Sequence, residues 1–311
     1  MPTPRLPDFF VIGASKSGTT SLWNHLDQHP DIFMCRPKEP QFMGFGEQAW
    51  PYTYPGAAFL KRFKAVMTLP AYQALFVDAG AGQLAGEASV SSLDVARSAA
   101  RIKHYAPQAK LIAILRHPAD RAFSHYNMVR RSSDEPIADF RAALAAEPDR
   151  IASGWWPGYH YRKNGLYAQN LSRYFELFER QRIRVVLNDD LNAKPHDVMR
   201  NLYGFLDVND AFVPDLDKRF NEGGNQPKNE TLFRLARDNR ITRALRRHAQ
   251  PLYQPLKGFA KAAMTKPAVL DPALRDELTQ DYRDDILRLQ DMIDRDLSHW
   301  LKPVANPLAA G

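Results

Sequence analysis

The sequence predicts an α/β fold: a central parallel sheet flanked by helices, of the phosphate-loop nucleotide-binding type. Three observations predict it. Short β-branched or apolar runs alternate with amphipathic stretches along the 311 residues, the order expected of buried strands joined by crossover helices. The run Phe9-Phe10-Val11-Ile12 passes straight into Gly13-Ala14-Ser15-Lys16-Ser17-Gly18-Thr19-Thr20-Ser21, and Leu22 and Leu26 then begin a helical stripe. A second apolar run, 111–115, ends in Arg116, and Pro118 follows at a position that suits the first turn of a helix, where its missing N–H has no acceptor to lose.

Taken in order, strands are expected at 9–12, 111–115 and 183–187, with a weaker one at 83–87. Helices are expected at 19–28, 118–130, 167–180 and 196–206. From 274 to 301, apolar residues including Leu274, Leu278, Tyr282, Ile286, Leu289 and Trp300 recur at three- and four-residue steps, a helical core face broken once. Two stretches, 42–81 and 132–163, are rich in aromatics, Gly and Pro and read as insertions of the kind that carry acceptor recognition on α/β scaffolds. No internal repeat or low-complexity tract interrupts the chain. The expectation is one domain over 1–311 with these insertions and a basic helical segment near 230–268.

A formal charge of +7 favours anionic partners: a nucleotide, a sulfated or carboxylated glycan, a nucleic acid or an acidic membrane. The single cysteine, Cys35, excludes an internal disulfide framework, and without a CxxC pattern it reads as a small buried hydrophobe. The first residues lack the basic start, long apolar stretch and small-residue site of a secretory signal. No later stretch has about 18 uncharged apolar residues, so a cytoplasmic location is expected. Arg234, Arg237, Arg240, Arg243, Arg246 and Arg247 make a basic face over 234–247, either a solvated surface or a contact for an anionic acceptor or the surface of a membrane.

Strand, glycine-bounded loop and helix together aim backbone N–H groups and a helix N-terminus at a phosphate. The triphosphate version of this loop reads GxxxxGK[ST]; here both glycines and the final hydroxyl fit, but Thr19 holds the lysine position and the lysine has moved forward to Lys16. A lysine inside the loop suits a shorter, diphosphate-like group. At the end of the 111–115 run stands Arg116, where a Mg²⁺-binding NTPase would often carry an aspartate, so a cation replaces the metal's charge and no metal is required.

At this point the chain resembles the PAPS-dependent sulfotransferases, in which PAPS is 3′-phosphoadenosine 5′-phosphosulfate. SKSGTTSL is similar to their 5′-phosphosulfate loop and LRHPADRAFSHY to their 3′-phosphate motif. Gly165-Leu166-Tyr167, VVLNDDL, Phe205-Leu206 and the run DILRLQDMIDRDLSHWL extend the likeness over most of the chain. The segment KEPQF resembles the heparan-sulfate-type and related bacterial branch, which implies a catalytic glutamate at Glu39. One departure is plain: Glu87-Ala88-Ser89-Val90 stands where heparan-type members often have Glu-Lys-Ser/Thr-Pro, so their acceptor-side lysine is absent.

The resemblance implies transfer of a sulfuryl group by in-line displacement to a hydroxyl or amine of a small-molecule or glycan acceptor, releasing 3′,5′-ADP. Lys16 and Glu39 are the expected catalytic residues. Lys16, Ser17, Gly18, Thr19, Thr20, Ser21, Arg116 and Ser124 are expected to bind the nucleotide, with Gly224 and Lys228 assigned to its carboxy-terminal loop. His29 and His125 are read as packing or positioning residues, Glu87 as a second carboxylate near the site, and Asp189-Asp190 as a cap on the helix after the third strong strand. The residues also admit an ATP-dependent phosphate-loop kinase, which Thr19 and Arg116 disfavour, and a nucleic-acid-binding module, which the charge alone favours; no nucleic-acid partner is expected. The acceptor itself is not legible.

Overall fold

The computed structural model describes residues 5–54, 64–132, 134–216, 225–227 and 265–303. Five parallel strands form the sheet: β1 (Phe9–Gly13), β2 (Ile32–Met34), β3 (Leu84–Ala88), β4 (Lys110–Leu115) and β5 (Ile183–Leu187), in the order β2-β3-β1-β4-β5. Along β1 and β4 successive side chains face opposite ways. Phe10, Ile12, Leu111, Ala113 and Leu115 enter one core and Phe9, Val11, Ile112 and Ile114 the other. Both faces are therefore apolar, which is why these strands read as unbroken hydrophobic runs. Each large side chain so buried contributes about 1.5–3 kcal/mol.

The helices are α1 (Thr19–Leu26), α2 (Phe42–Phe45), α3 (Leu69–Gln73), α4 (Ser91–Asp94), α5 (Arg97–Tyr105), α6 (Pro118–Arg131), α7 (Phe140–Ala145), α8 (Glu147–Ala152), α9 (Tyr167–Phe175), α10 (Asn188–Ala193), α11 (Pro195–Leu206) and α12 (Pro272–Ile293). Helices α1 and α11 cover the second core through Leu22, Leu26, Met199 and Leu202. Helices α6, α9 and α12 cover the first, with Ala122, Tyr126, Leu171, Tyr174, Leu278 and Tyr282.

The four expected strands form within a residue or two of their expected ends, whereas β2, only three residues long, is too short to show a period. Helix α9 stops at Phe175 instead of 180, because a 3₁₀ turn at Arg180–Arg182 leads directly into β5. The expected break in the 274–301 stripe falls after Ile293, where Asp294 takes a left-handed conformation, and a 3₁₀ turn, Ser298–Leu301, brings Trp300 back into the core. Cys35 is fully buried, as expected. The 225–227 strand pairs antiparallel with 265–267 and runs beside α6. The basic face of 234–247 lies outside the described residues, as do Gly224 and Lys228.

Asp189 and Asp190 do not cap α10. They lie in its first turn, where their carboxylates accept hydrogen bonds from Trp300 Nε1 at 3.0 Å and from the Arg295 guanidinium at 2.8 Å. They tie the end of α12 and the following turn to the carboxyl end of β5. Capping across elements occurs elsewhere: Asp285 of α12 accepts from the Ala168 and Gln169 N–H groups at 2.9 and 3.1 Å, supplying α9 with the cap its own sequence lacks. Among the described residues no helix is long and apolar enough to cross a membrane, and no group of His, Cys, Asp and Glu side chains is placed to hold a metal ion.

Candidate active site

Strand order reverses around β1, whose neighbours β3 and β4 lie on opposite sides of it, and ligands of open α/β sheets bind at the carboxyl ends of strands at such a point. The loop Ala14 to Gly18 sits there. Ala14 N–H donates to the Ile114 carbonyl at 2.8 Å, fixing the loop against β4. Gly13 and Gly18 have φ of 151° and 103°, values that disfavour a side chain. A Cβ on Gly18 would also stand 2.9 Å from Asn188 Nδ2, which donates to the Ser17 carbonyl at 3.0 Å. Asn188, at the start of α10, thus supports the loop from below; sequence reading matched its segment without assigning it this task. The N–H groups of Thr19, Thr20 and Ser21 open α1 and have no acceptor within it, so they are free to meet an anion.

Burial, then the charges of Arg131 and Arg116, lower the Lys16 ammonium from 10.5 to about 8, with Lys38 adding to this and Glu39 opposing it. Cations gathered this way repel one another until an anion lies among them. Arg131 was not singled out by sequence reading because it sits at the last position of α6, four turns from the motif's start, and only the helix's direction returns it to the loop. Arg116 follows β4, and its carbonyl accepts from the Tyr167 hydroxyl at 2.9 Å, which gives the Gly165-Leu166-Tyr167 segment a bracing role. The Arg116 guanidinium makes no hydrogen bond or ion pair with the described residues. One turn before Ser124 on α6, Asp120 is held by Arg275 at 2.8 and 3.2 Å. The Ser124 hydroxyl likewise has no partner among the described residues.

Glu39 lies in a strained turn. Glu39 and Gln41 have φ of 64° and 65°, which costs about 1–2 kcal/mol for each residue with a Cβ. The turn is pinned where β3 ends: Glu39 N–H donates to the Ala88 carbonyl at 3.0 Å, Gln41 N–H to Ser89 Oγ at 3.1 Å, and Ser91 Oγ to Gln41 Oε1. The Glu39 carboxylate accepts from Lys38 Nζ and Gln41 Nε2, each at 3.0 Å. It faces a cleft of about 540 Å³ whose lining includes Ser15, Asp94, His125, Met128, Val129, Trp156 and Tyr159.

The wall that Trp156, Pro157, Gly158 and Tyr159 give this cleft is backed by the first insertion. Thr53 N–H donates to the Gly154 carbonyl at 3.0 Å and Trp156 N–H to the Tyr54 carbonyl at 2.9 Å, while Tyr54 and Trp155 pack at 4.1 Å between ring centroids. Trp156 also meets Trp50 and Phe45 at 6.2 and 6.5 Å.

Of the other expected residues, His29 packs between Tyr203 and Phe212, donating from Nε2 to the Asn209 carbonyl at 2.9 Å. His125 lines the cleft, but burial, then Arg121 and Lys16, hold its imidazole well below the usual histidine range, so it stays neutral and weakly basic. Glu87 is fully buried, receives the Tyr72 hydroxyl and does not line the cleft. Burial raises its carboxyl from 4.5 to about 7 despite hydrogen bonds to Ser89 and Tyr72. The carboxylate that joins Glu39 in the cleft is Asp94, unassigned by the sequence reading; burial raises it from 3.8 to about 7 against the opposing charges of Arg121 and Arg173.

A parallel sheet with a glycine-bounded anion loop where strand order reverses defines a P-loop-like α/β protein. The chain belongs to the sulfotransferase family, whose profile matches residues 7–211. It is 28% identical over 207 residues to the mouse bifunctional heparan sulfate N-deacetylase/N-sulfotransferase 1, an overlap of 66% of this chain and 22% of that protein. The human bifunctional heparan sulfate N-deacetylase/N-sulfotransferase 3 is 27% identical over 209 residues, again 66% of this chain and 22% of that protein. The chain thus spans about a fifth of the length of these relatives. A crystal structure of a sulfotransferase from Alicyclobacillus acidocaldarius superposes with a TM-score of 0.72 at 30% identity, covering 96% of this chain and 100% of that one. The shared region is the one that carries the sheet, the anion loop and the Glu39 turn.

Proposed function

We propose that the protein is an enzyme that transfers sulfuryl groups, that the donor is PAPS and that Glu39 is the general base that activates a hydroxyl or amine acceptor. The observation that carries this reading is the meeting of Ser15 of the anion loop and the Glu39 carboxylate in one cleft, with the Glu39 charge acting on Lys16. The loop fits the donor: open N–H groups of Thr19, Thr20 and Ser21, the Lys16 ammonium and glycines where a Cβ would collide suit a 5′-phosphosulfate. Arg116 and Ser124, with Gly224 and Lys228, are assigned to the 3′-phosphate side, and the run of Asn225–Pro227 beside α6 supports that grouping.

PAPS supplies a sulfuryl group on a phosphate that leaves as part of 3′,5′-ADP. Glu39 takes the acceptor's proton as the new bond to sulfur forms, and Lys38 and Gln41 hold its carboxylate in place. Lys16 and the N–H groups at the start of α1 stabilise the electron pair that collects on the departing phosphate oxygen. Ser17, Gly18, Thr19, Thr20 and Ser21 orient the group. No step asks for a metal ion. A kinase is disfavoured because Thr19 fills the lysine position of the triphosphate loop and Arg116 the place of a metal-binding aspartate. The names of the curated relatives favour a glycan acceptor, and a cytoplasmic location accords with a nucleotide donor.

The test is transfer of labelled sulfate from PAPS by the wild type and by Glu39→Gln across glycans, phenols and amines. Glutamine keeps the size but cannot take the proton, so kcat falls by about 10²–10⁴-fold while 3′,5′-ADP affinity holds. Retention of more than about a third of wild-type kcat, far above that range, would place the base elsewhere.

A further inference from the structure

Asp94 ends α4, the short helix that follows β3 and packs against the phosphate loop; a Cβ on Gly13 would stand 2.8 Å from Leu93 Cβ. It lines the same cleft as Glu39 and is half-buried. Its Oδ1 is sealed from solvent and has no hydrogen-bond partner among the described residues. Arg121 and Arg173 favour its charge without pairing with it. Arg173 Nη2 is committed to the Leu93 carbonyl at 2.7 Å and Asn170 Oδ1 at 3.1 Å, and Arg121 to the Tyr161 carbonyl and His125 Nδ1. The two arginines only partly offset the cost of burying the charge, and the carboxyl group is left with unused accepting capacity, a costly arrangement for a buried group unless something else donates to it. Arg121 Nε and Arg173 Nε are themselves without partners among the described residues, yet no described donor makes a hydrogen bond to Asp94. The χ2 torsion of aspartate is broad and two-fold, so either oxygen can turn toward a donor in the cleft.

Most of the exposed lining of the cleft is apolar, with Val95, Met128, Val129, Trp156 and Tyr159, although Lys38, Lys64 and Asp134 also reach it. We propose that Asp94 positions the acceptor by accepting from a second donor group on it, so that the preferred acceptor pairs an apolar face with a hydrogen-bond donor set apart from the sulfated group, an ammonium binding most strongly. This rests on the sulfuryl-transfer reading of the cleft and goes beyond it by assigning a substrate class. Glu39 removes the proton from the reacting group; Asp94 holds the second donor group. Above about pH 7, where Asp94 is ionised, an acceptor bearing an anion at that point is repelled by it and binds more weakly, even with Lys38 and Lys64 on the same cleft.

The experiment uses three probes that share a 4-hydroxyphenyl ring and differ in the tail: tyramine, tyrosol and 4-hydroxyphenylacetate. Their binding to the wild type, Asp94→Asn and Asp94→Ala is measured by calorimetry with 3′,5′-ADP present. In the wild type tyramine binds tightest and 4-hydroxyphenylacetate weakest, separated by about tenfold to a hundredfold, the scale of one charge-assisted contact. Asp94→Asn, which keeps the shape, levels the order, and Asp94→Ala does the same. Equal binding of the three by the wild type, binding of none, or an order that survives in Asp94→Asn would overturn the assignment. The 3′,5′-ADP affinity of both variants reports that they are folded. A wild type that binds no 3′,5′-ADP counts against the donor and not against Asp94, because the order of the probes is read equally well on the free protein.

Discussion

The carboxylate of Glu135 and the guanidinium of Arg150 form a two-pronged pair, 2.7 and 2.8 Å, with the residues 1% and 4% exposed. The Tyr161 hydroxyl and the Ile137 N–H also donate to Glu135, at 2.7 and 2.9 Å. The pair sits at the centre of the 132–163 insertion, beneath Trp155 and Tyr159, whose rings the Arg150 guanidinium approaches at 5.0 and 5.8 Å. It is the internal frame of a segment that forms one wall of the cleft.

Removing one partner leaves the other buried without its match. Arg150→Met is expected to lower stability by about 3–5 kcal/mol, read by urea unfolding, while the protein that remains folded keeps its 3′,5′-ADP affinity. The nucleotide loop lies on other elements, so a joint loss of both would show that the insertion also shapes the loop.

Glu87 makes stability depend on pH. Its folded value near 7 lies above the ordinary 4.5, so between these pH values the folded protein holds a proton that the unfolded chain releases. Its contribution is fully favourable below about 4.5, declines as pH rises toward 7, and is at its lowest above that. Glu87→Gln still receives the Tyr72 hydroxyl and never ionises. It should raise stability at pH 8 by on the order of 3 kcal/mol and change little at pH 4.5. Thermal unfolding at the two values checks this, and equal effects at both would mean that Glu87 is not the source.

The Lys16 ammonium, lowered to about 8 in the free protein, loses its charge across the alkaline range. A bound phosphate stabilises that charge and raises the value again. Affinity for 3′,5′-ADP should therefore fall by up to about tenfold per pH unit above 8. In Lys16→Arg, which stays charged, the fall should disappear. Wild-type affinity that is flat to pH 9 would remove Lys16 from nucleotide binding.

Arg116→Ala should weaken 3′,5′-ADP by roughly tenfold to a hundredfold and leave 5′-AMP nearly untouched, since a charge-assisted contact is worth about 1.5–3 kcal/mol and only the first ligand has a 3′-phosphate. Competitive titration without Mg²⁺ measures both. Equal loss for the two nucleotides would show a disturbed fold instead of a lost contact.

Local patterns are what the sequence by itself determined. Apolar runs long enough to show their character marked β1, β3, β4 and β5, and the spacing of Gly13, Lys16 and Gly18 between strand and helix marked the anion loop, because backbone geometry there depends on neighbours in the chain. The KEPQF segment marked Glu39 through its likeness to a family. Tertiary structure alone decided which distant groups meet: the strand order, the return of Arg131 to the loop by the direction of α6, the Asn188 support beneath Gly18, and the packing of 45–54 behind 154–156. It also exchanged Glu87 for Asp94 in the cleft. The two lie seven positions apart around one turn, and chain spacing gives no hint of which faces inward. That is settled by the side on which β3 ends and by the Tyr72 hydroxyl that Glu87 accepts, contacts between segments whose separation in sequence carries no periodic signal.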